Sequence, residues 1–244
     1  MISPTLGFES GYVNKVPVVI DKNRECECCT IANSNISISK IDWDSFETSW
    51  DFKKHPLLRN VSTISEAFTQ WQTECDDRFN QLKANEEELN RQFIDIYGLQ
   101  DELTPDVPLN EITILQQGEV KIVDGALQFQ ADVVIKQLIS YAIGCWMGRY
   151  RLDKPGLYIA HPNAKEEEIV TYPYRDETLT IDDDGIIPIL PYECPFEDNL
   201  QNRIADFVRI AFGNDSLAEN LNFVEQALGC TIEKYLDKEY WKDH

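Results

Sequence analysis

The first candidate for metal chemistry in the sequence is the group of cysteines Cys26, Cys28 and Cys29. Thiolates bind zinc, but a structural zinc site uses four ligands, usually as two pairs with a spacer between them, and no second pair follows here. We therefore predict free thiols and no metal site. The other four of the seven cysteines occupy apolar positions, where cysteine behaves as a small hydrophobic residue, namely Cys75, Cys145, Cys194 and Cys230.

A second candidate for metal binding is the acidic run Asp182, Asp183 and Asp184, which is followed by Gly185. Carboxylates bind calcium, but this run lacks the alternating spacing and the distant glutamate of an EF-hand loop. The run therefore predicts an acidic turn that leads into an extended segment.

The histidines show no spacing that is typical of catalysis. His55 and His161 each precede a proline, and His244 is the last residue, so none lies at a metal-like or triad-like spacing. The sequence also lacks a dinucleotide-binding glycine motif, a phosphate-binding loop and a Gly-x-Ser-x-Gly motif. Because carboxylates are abundant, a catalytic pair cannot be selected by residue type. We therefore predict no catalytic, cofactor-binding or metal residue.

Net charge limits the possible partners. The 244 residues contain 22 Lys and Arg against 43 Asp and Glu, which gives a formal net charge of −21. Phosphate-backbone binding depends on cationic side chains that release counterions, so a broad DNA-binding face is not expected. Solubility explains such a charge more simply than acidic mimicry of DNA, which would require carboxylates spaced like phosphates along one face.

The apolar segments are too short for a membrane helix. The longest, residues 138–148, falls short of the ~20 residues that a span requires. The N-terminal residues also lack the basic and apolar regions of a secretory signal. The expected compartment is the cytoplasm.

The clearest structural signal is one long amphipathic helix over residues 62–98. Thr63 and Glu66 form a capping box at its start, and Gly98 is suited to its end. Between them, apolar residues recur at steps of three or four, as one face of a helix requires, with Glu86 as the one polar interruption. These residues are Ile64, Phe68, Trp71, Cys75, Phe79, Leu82, Leu89, Phe93 and Ile96.

Before this helix lie four aromatic residues, Trp43, Phe46, Trp50 and Phe52. Such a cluster usually packs against a neighbouring element. Stacking on nucleic-acid bases is the alternative, but it normally requires basic residues along the backbone track. The only candidates are Lys53, Lys54 and Arg59, so the sequence favours packing.

The remaining chain predicts a mixture of helices and short strands. A short helix is expected over residues 21–34, with Ser39 as the N-cap of the next, and strands over 112–115 and 157–160. Further helices are expected over 132–150, 199–212, 216–228 and 232–241, with a second capping box at Ser216 and Glu219. Gly144 and Gly148 indicate that another element packs closely on the first of these. The fold class is mainly α with some β: a long amphipathic helix plus a helical bundle with short strands.

Several stretches resemble the PglX-type adenine-specific DNA methyltransferases of BREX phage-defence systems and related restriction–modification enzymes. They occur in the family's order and cover most of the chain. The stretches are residues 41–52 (IDWDSFETSWDF), 85–89 (NEEEL), 93–105 (FIDIYGLQDELTP), 140–153 (SYAIGCWMGRYRLD), 182–188 and 217–229.

The resemblance implies that this chain lacks the family's chemistry. The family's catalytic domain binds S-adenosylmethionine and carries an Asn-Pro-Pro-Tyr motif that holds the extruded adenine. This sequence contains neither a glycine loop that could bind the cofactor nor an Asn-Pro-Pro-Tyr motif. The string nearest to the motif, Tyr172-Pro173-Tyr174, does not match it. Residues 5–11 and 16–18 are similar to the segment that closes the catalytic domain. The implied organisation is residues 1–20 as the tail of the catalytic domain, 21–61 as a linker with the aromatic cluster, 62–98 as a spacer helix and 99–244 as a mixed helical domain, truncated at its C-terminal end.

The expected role is therefore a non-catalytic scaffold between the catalytic and target-recognition parts of such an enzyme, without a cofactor of its own. Its implied partners are the remainder of the methyltransferase and other defence-system proteins, with DNA bound weakly or not at all through this region. A stand-alone acidic interaction protein, such as a DNA mimic, is the alternative. A further alternative is an enzyme whose active site has no recognised sequence motif.

Overall fold

The computed structural model describes residues 17–190 and 198–243. It divides into two compact units, which we call unit 1 (Met1–Ile38 and Asn80–Ile112) and unit 2 (Ser39–Phe79 and Thr113–His244). Two helices, α1 (Glu25–Trp43) and α2 (Ile64–Tyr97), contribute residues to both.

Polar contacts join parts of unit 1 around a few buried apolar side chains. The Asn85 amide donates to Asn35 Oδ1 at 2.7 Å and to Ser34 Oγ at 3.2 Å. Two residues further along, Glu87 Oε1 accepts the backbone N–H of Val107 at 3.2 Å. A short 3₁₀ turn, Leu109–Glu111, follows. Such hydrogen bonds contribute little net stability each, about 0.5–1.5 kcal/mol, but they fix geometry.

The described residues of unit 2 contain five further helices. They are α3 (Ala131–Trp146), α4 (Leu200–Phe212), α5 (Leu217–Leu228), α6 (Ile232–Lys238) and α7 (Tyr240–Asp243). Local residues set several ends, because Asn199 and Thr231 accept backbone N–H groups as N-caps, and Gly229 ends α5 in the left-handed conformation. α3, α4 and α5 pack on one another.

Three two-stranded antiparallel hairpins complete unit 2. They pair β1 (Val120–Val123) with β2 (Ala126–Phe129), β3 (Tyr150–Arg151) with β4 (Lys154–Leu157), and β5 (Thr171–Tyr174) with β6 (Glu177–Thr180). The first hairpin turns at Asp124 and Gly125, both with positive φ, as a two-residue turn of this kind requires.

The core of unit 2 is aromatic. Tyr141 stacks on Tyr150 with ring centroids 4.9 Å apart, and Phe52 meets Tyr150 edge-on at 5.4 Å. This contact explains Gly144, where a Cβ would lie 2.7 Å from the Tyr150 ring. A Cβ at Gly148 would likewise lie 2.7 Å from Ile159. The predicted close packing at both glycines is confirmed, although α3 ends at Trp146 rather than at residue 150.

The predicted fold class is confirmed, and so is the long helix. α2 has 34 residues, a length of about 50 Å at 1.5 Å per residue. Thr63 Oγ1 accepts the N–H of Glu66 at 3.2 Å, and Gly98 follows the helix with φ +66°.

Three predictions about the N-terminal half are wrong. The helix expected over residues 21–34 extends to Trp43, so Ser39 lies inside it rather than at a cap. Inside the helix the backbone N–H groups near Ser39 bond to carbonyl groups of the preceding turn, so no side-chain cap is required there. Residues 112–115 form no strand. The Leu115 N–H donates instead to the buried Asp42 carboxylate at 3.3 Å, and Leu115 takes a φ of +57°.

Two further predictions about the C-terminal half also fail. The strand expected at 157–160 lies at Lys154–Leu157, because the hairpin turns at residues 152–153. Ser216 precedes α5 but forms no side-chain capping bond, since its backbone does not take the extended conformation of an N-cap.

Candidate interaction surface

Unit 1 exposes a set of apolar side chains at the end of α2. The Tyr97 hydroxyl accepts the Val19 N–H at 3.1 Å and donates to the Pro17 carbonyl at 3.1 Å. These two bonds hold the extended segment 17–20 against α2. Yet Val18 and Ile20 remain 76% and 72% exposed.

The α2 residues beside this segment are also open. Phe93 lies one turn before Tyr97, a spacing that places two helical side chains side by side, and it is 47% exposed. We call the set Val18, Val19, Ile20, Phe93 and Tyr97 the unit 1 apolar face. Adjacent exposed apolar side chains of this kind are typical of surfaces that bind another protein or segment.

The surroundings of this face are acidic. Residues 80–112 hold eight acidic and two basic residues. Arg24 lies near two of the carboxylates of unit 1, with Nη1 3.5 Å from Asp95 and Nε 3.9 Å from Asp21. The electrostatic field at the face therefore favours a partner with a basic rim.

The predicted apolar stripe of α2 is only partly buried. Its first part is enclosed, with Trp71 5% exposed. In its second part Phe93 is exposed, and Gln92 is buried in its place. The Gln92 side chain is satisfied there, because Oε1 accepts from Cys28 Sγ at 2.9 Å and Nε2 donates to Glu88 at 3.0 Å.

The predicted packing of the aromatic cluster is confirmed for two members and wrong for two. Phe46 and Phe52 are buried in unit 2. Trp43 is half-exposed, and Trp50 is almost fully exposed. Of the nearby basic residues, Arg59 is engaged by Glu74, to which its Nη2 donates at 2.8 Å.

The cysteines do not come together in the described residues. Cys26 and Cys29 are exposed, and Cys28 donates to Gln92. Cys75 and Cys145 are buried, and burial raises the pKa of the Cys75 thiol to about 12. Thiols of this kind are unreactive. Cys194 lies outside the described residues.

The acidic run forms the expected turn. Carboxylate oxygens of Asp182, Asp183 and Asp184 lie within 4.8 Å of one another. The Ile186 N–H donates to Asp184 at 2.8 Å and to Asp182 at 3.2 Å, and Arg203 lies 3.5 Å from Asp182. These contacts account for the turn, and the absence of a bound metal stays a prediction.

The two described histidines lie in different surroundings. His55 is buried, and burial lowers its pKa to about 3, so the ring is neutral. Its Nδ1 accepts the Leu57 N–H at 3.3 Å. His161 is exposed, and its Nε2 lies 3.0 Å from Glu168 Oε1. Its pKa is raised, mainly by the Pro162 carbonyl and to a smaller extent by Glu168. Neither contacts a nucleophile, and Tyr172 is buried in the core.

Sequence patterns did not reveal a polar cleft in unit 2 with a volume of about 440 Å³. Glu47, Ser140 and Arg149 line it, and Glu47 accepts the Tyr150 hydroxyl at 3.2 Å. Burial raises the pKa of Glu47. The cleft is large enough for a small molecule. His55 is the one histidine that lines it among the described residues. Its Nδ1 accepts the Leu57 N–H and its Nε2 is buried, so neither ring nitrogen is exposed.

Two carboxylates are buried elsewhere in unit 2. Burial raises the pKa of Asp42 to about 6, with the charge of Glu119 acting in the same direction and the Leu115 N–H opposing it. Burial also raises the pKa of Glu119. Both side chains receive backbone N–H groups, so they hold the loop at residues 115–119 in place.

No helix in the described ranges is both long and apolar enough to cross a membrane. No protein-family model matches the sequence.

Two curated proteins match the whole chain. One is "Adenine-specific methyltransferase PglX" of Lacticaseibacillus casei (strain Zhang), 38% identical over 261 residues. The other is "Adenine-specific methyltransferase BrxX" of Escherichia coli O9:H4 (strain HS), 35% identical over 260 residues. Each match covers 100% of this chain but only 20% and 21% of the relative, respectively. The chain is therefore homologous over its full length to about one-fifth of these methyltransferases, and the resemblance found in the sequence is confirmed.

Proposed function

We propose that this chain is the non-catalytic scaffold segment of an S-adenosylmethionine-dependent, adenine-N6 DNA methyltransferase of a BREX-type phage-defence system. The observation that carries the proposal is the match of its whole length to one-fifth of two adenine-specific methyltransferases. In this role the chain acts in the cytoplasm and connects the catalytic part of the enzyme to the part that recognises the DNA target.

The partner is the remainder of the methyltransferase, which makes up about four-fifths of the relatives. The unit 1 apolar face is the surface that suits it. Val18 and Ile20 are held extended and open beside Phe93, so their burial by a partner would require no rearrangement. Other defence-system proteins are further partners under this proposal.

The absence of chemistry in the sequence supports a scaffold. The described residues bring together no triad, and the chain has neither a cofactor glycine loop nor an Asn-Pro-Pro-Tyr motif. The 34-residue helix α2 gives a rigid element about 50 Å long. S-adenosylmethionine is bound by the rest of the enzyme, and we expect calorimetry of the isolated chain with this cofactor to give no signal. Saturable micromolar binding would contradict the proposal.

A chimera tests the role directly. The matched segment of the Lacticaseibacillus casei methyltransferase is replaced by this chain, and adenine methylation is measured. We expect the chimera to be active and Phe93→Asp to lower its activity about tenfold or more, because misplaced catalytic parts lose rate steeply. The matched control is Ile122→Asp, at an exposed apolar position of β1 in unit 2. An inactive chimera, or equal effects of the two substitutions, would contradict the proposal.

The net charge of −21 supports one alternative, a stand-alone acidic interaction protein that mimics DNA. Such a protein would compete with DNA for a basic DNA-binding protein. Addition of the chain to the Lacticaseibacillus casei methyltransferase would then inhibit methylation in a salt-sensitive manner. The scaffold proposal expects no inhibition.

A further inference from the structure

The most exposed aromatic residue of the described chain is Trp50, at 95%. Its backbone is nonetheless well held. The Asp51 N–H donates to Ser49 Oγ at 3.1 Å, and that hydroxyl donates to Asp44 at 2.7 Å. Lys40 ties both carboxylates, with Nζ 2.9 Å from Asp44 and 2.5 Å from Asp51. An ordered turn therefore presents a bare indole to solvent.

Three lysines lie around this turn. Lys53 and Lys54 follow Trp50 closely in sequence and are exposed. The Gly156 N–H donates to the Lys53 carbonyl at 2.7 Å, which brings the backbone of β4 beside this segment. Its first residue is Lys154, whose Nζ lies 5.7 Å from the centre of the Tyr158 ring. In the described part of the chain none of the three forms an ion pair, although the protein has a large excess of carboxylates.

The local charge is therefore opposite to that of the whole chain. Asp44 and Asp51 share Lys40, and Asp153 is paired with Arg151 at 2.8 Å. Because two carboxylates share one lysine, one negative charge remains in that group, against the three positive charges of Lys53, Lys54 and Lys154. A flat aromatic side chain with ammonium groups nearby is the combination that binds nucleotides, because the ring stacks on a base while cations contact phosphates.

A protein partner fits this site less well. Lysine is depleted at protein–protein interfaces, since burying its ammonium group is costly. Double-stranded DNA also fits poorly, because its bases are stacked inside the duplex and cannot stack on the indole. An unpaired nucleotide exposes both a base face and a phosphate.

We propose that Trp50, Lys53, Lys54 and Lys154 form a binding site for single-stranded DNA, in which the indole stacks on an unpaired base and the lysines contact the adjoining phosphates. This site is separate from the unit 1 apolar face and does not depend on the scaffold role. It gives this acidic segment one local contact with DNA whose strands have been opened.

Fluorescence anisotropy of the full chain with a labelled oligonucleotide of about ten deoxyadenosines tests the proposal, at roughly 50 mM salt where screening is weak. We expect binding that weakens with salt with a slope of about −2, the value for three phosphate contacts on a single strand. The same oligonucleotide in a duplex should not bind.

Substitutions separate stacking from charge. Trp50→Ala should weaken binding by at least about fivefold, the lower end for loss of one stacked base, whereas Trp50→Phe should retain most of it. Lys53→Glu with Lys54→Glu should abolish binding and its salt dependence. Trp241→Ala, at another exposed tryptophan of unit 2, is the matched control and should change nothing.

Circular dichroism confirms that each variant is folded. Failure of the wild-type chain to bind the single strand would overturn the proposal. So would equal effects of Trp50→Ala and Trp241→Ala, since binding would then not depend on this site. Equal affinity for the duplex would show a general cationic surface and would also contradict it.

Discussion

The two parts of helix α2 follow the same apolar periodicity but differ in what covers them. Up to Phe79, in unit 2, the stripe is enclosed, and Trp71 packs between Phe68 and Phe129 with ring centroids 5.5 Å away on each side. From Asn80 onward, in unit 1, Phe93 and Tyr97 of the same helix remain partly open to solvent. The helix itself is continuous.

This difference teaches that periodicity determines which face of a helix is apolar but not which element covers it. An amphipathic helix gains most of its stability from the burial of that face. In unit 2 the aromatic core and the hairpins of the same chain provide the cover. In unit 1 some apolar side chains, such as Leu82 and Ile94, are buried by the chain itself, whereas Phe93 and Tyr97 stay open to solvent.

The largest effect is expected from Trp71→Ala. Removal of an enclosed indole from a packed core leaves a cavity, so the free energy of unfolding should fall by about 3–5 kcal/mol. Chemical denaturation with fluorescence and circular dichroism detection measures it. A loss below ~1 kcal/mol would mean that the first part of α2 is as open as the second, and the comparison would fail.

Burial of a carboxylate in unit 2 should be visible as a pH dependence of stability. The pKa of Asp42 is raised from 3.8 to about 6, so the folded protein binds this proton more tightly than the unfolded chain does. The ionised form therefore destabilises the fold above pH 6, and stability is regained as the pH falls from 7.5 through 6 towards 4. Asp42→Asn should reduce this dependence, to which Glu119 and Glu47 contribute with the same sign, and should raise the free energy of unfolding at pH 7.5 by about 2 kcal/mol.

Unit 1 provides the matched control for that experiment. Asp95 pairs with Arg24 at 3.5 Å, and its side chain is 42% exposed. Asp95→Asn should change stability by less than ~0.5 kcal/mol at either pH, because exposed ion pairs contribute little. A larger effect than that of Asp42→Asn would reverse the contrast between the units.

Phe93→Ala should have a small effect on the isolated chain. Its ring is already 47% exposed, so its removal should lower the free energy of unfolding by less than ~1 kcal/mol. The same denaturation experiment measures this loss in the free energy of unfolding, which is then compared with the loss for Trp71→Ala on the same helix. A loss of 3 kcal/mol or more would show that Phe93 supports unit 1 itself and is not available to a partner.

The smallest expected effect is the binding of duplex DNA by the isolated chain. With a net charge of −21, the isolated chain should not shift a short duplex at ~100 mM salt, even at tens of micromolar protein. Gel mobility measures this. A complex that forms and weakens steeply with salt would reveal a broad basic face in one of the two units.

Features set by neighbouring residues could be predicted from the sequence. α2 begins after Thr63 and ends before Gly98 because both signals act within one turn of the helix. The family resemblance rests on runs of consecutive residues, so it could also be found from the sequence.

Features set by distant contacts could not be predicted. Leu115 leaves the expected strand because its N–H meets Asp42, 73 residues earlier in the chain. Trp50 lies in a turn that is tied to Lys40 through Asp51, 11 residues later in the chain. The cleft beside Glu47 likewise combines separate segments of unit 2, which no local pattern records.

The central claim is that the unit 1 apolar face is covered by the remainder of the methyltransferase. Phe93→Cys places a thiol on that face, and its rate of alkylation is measured in the isolated chain and in the chimera. Peptide mapping distinguishes it from the native Cys26 and Cys29, which are also exposed. Ile122→Cys in unit 2 is the control and should react at the same rate in both proteins.

We predict that the thiol at position 93 reacts readily in the isolated chain and at least about tenfold more slowly in the chimera, because reaction then requires transient opening of the interface. Equal rates in the two proteins, with the control unchanged, would contradict the claim.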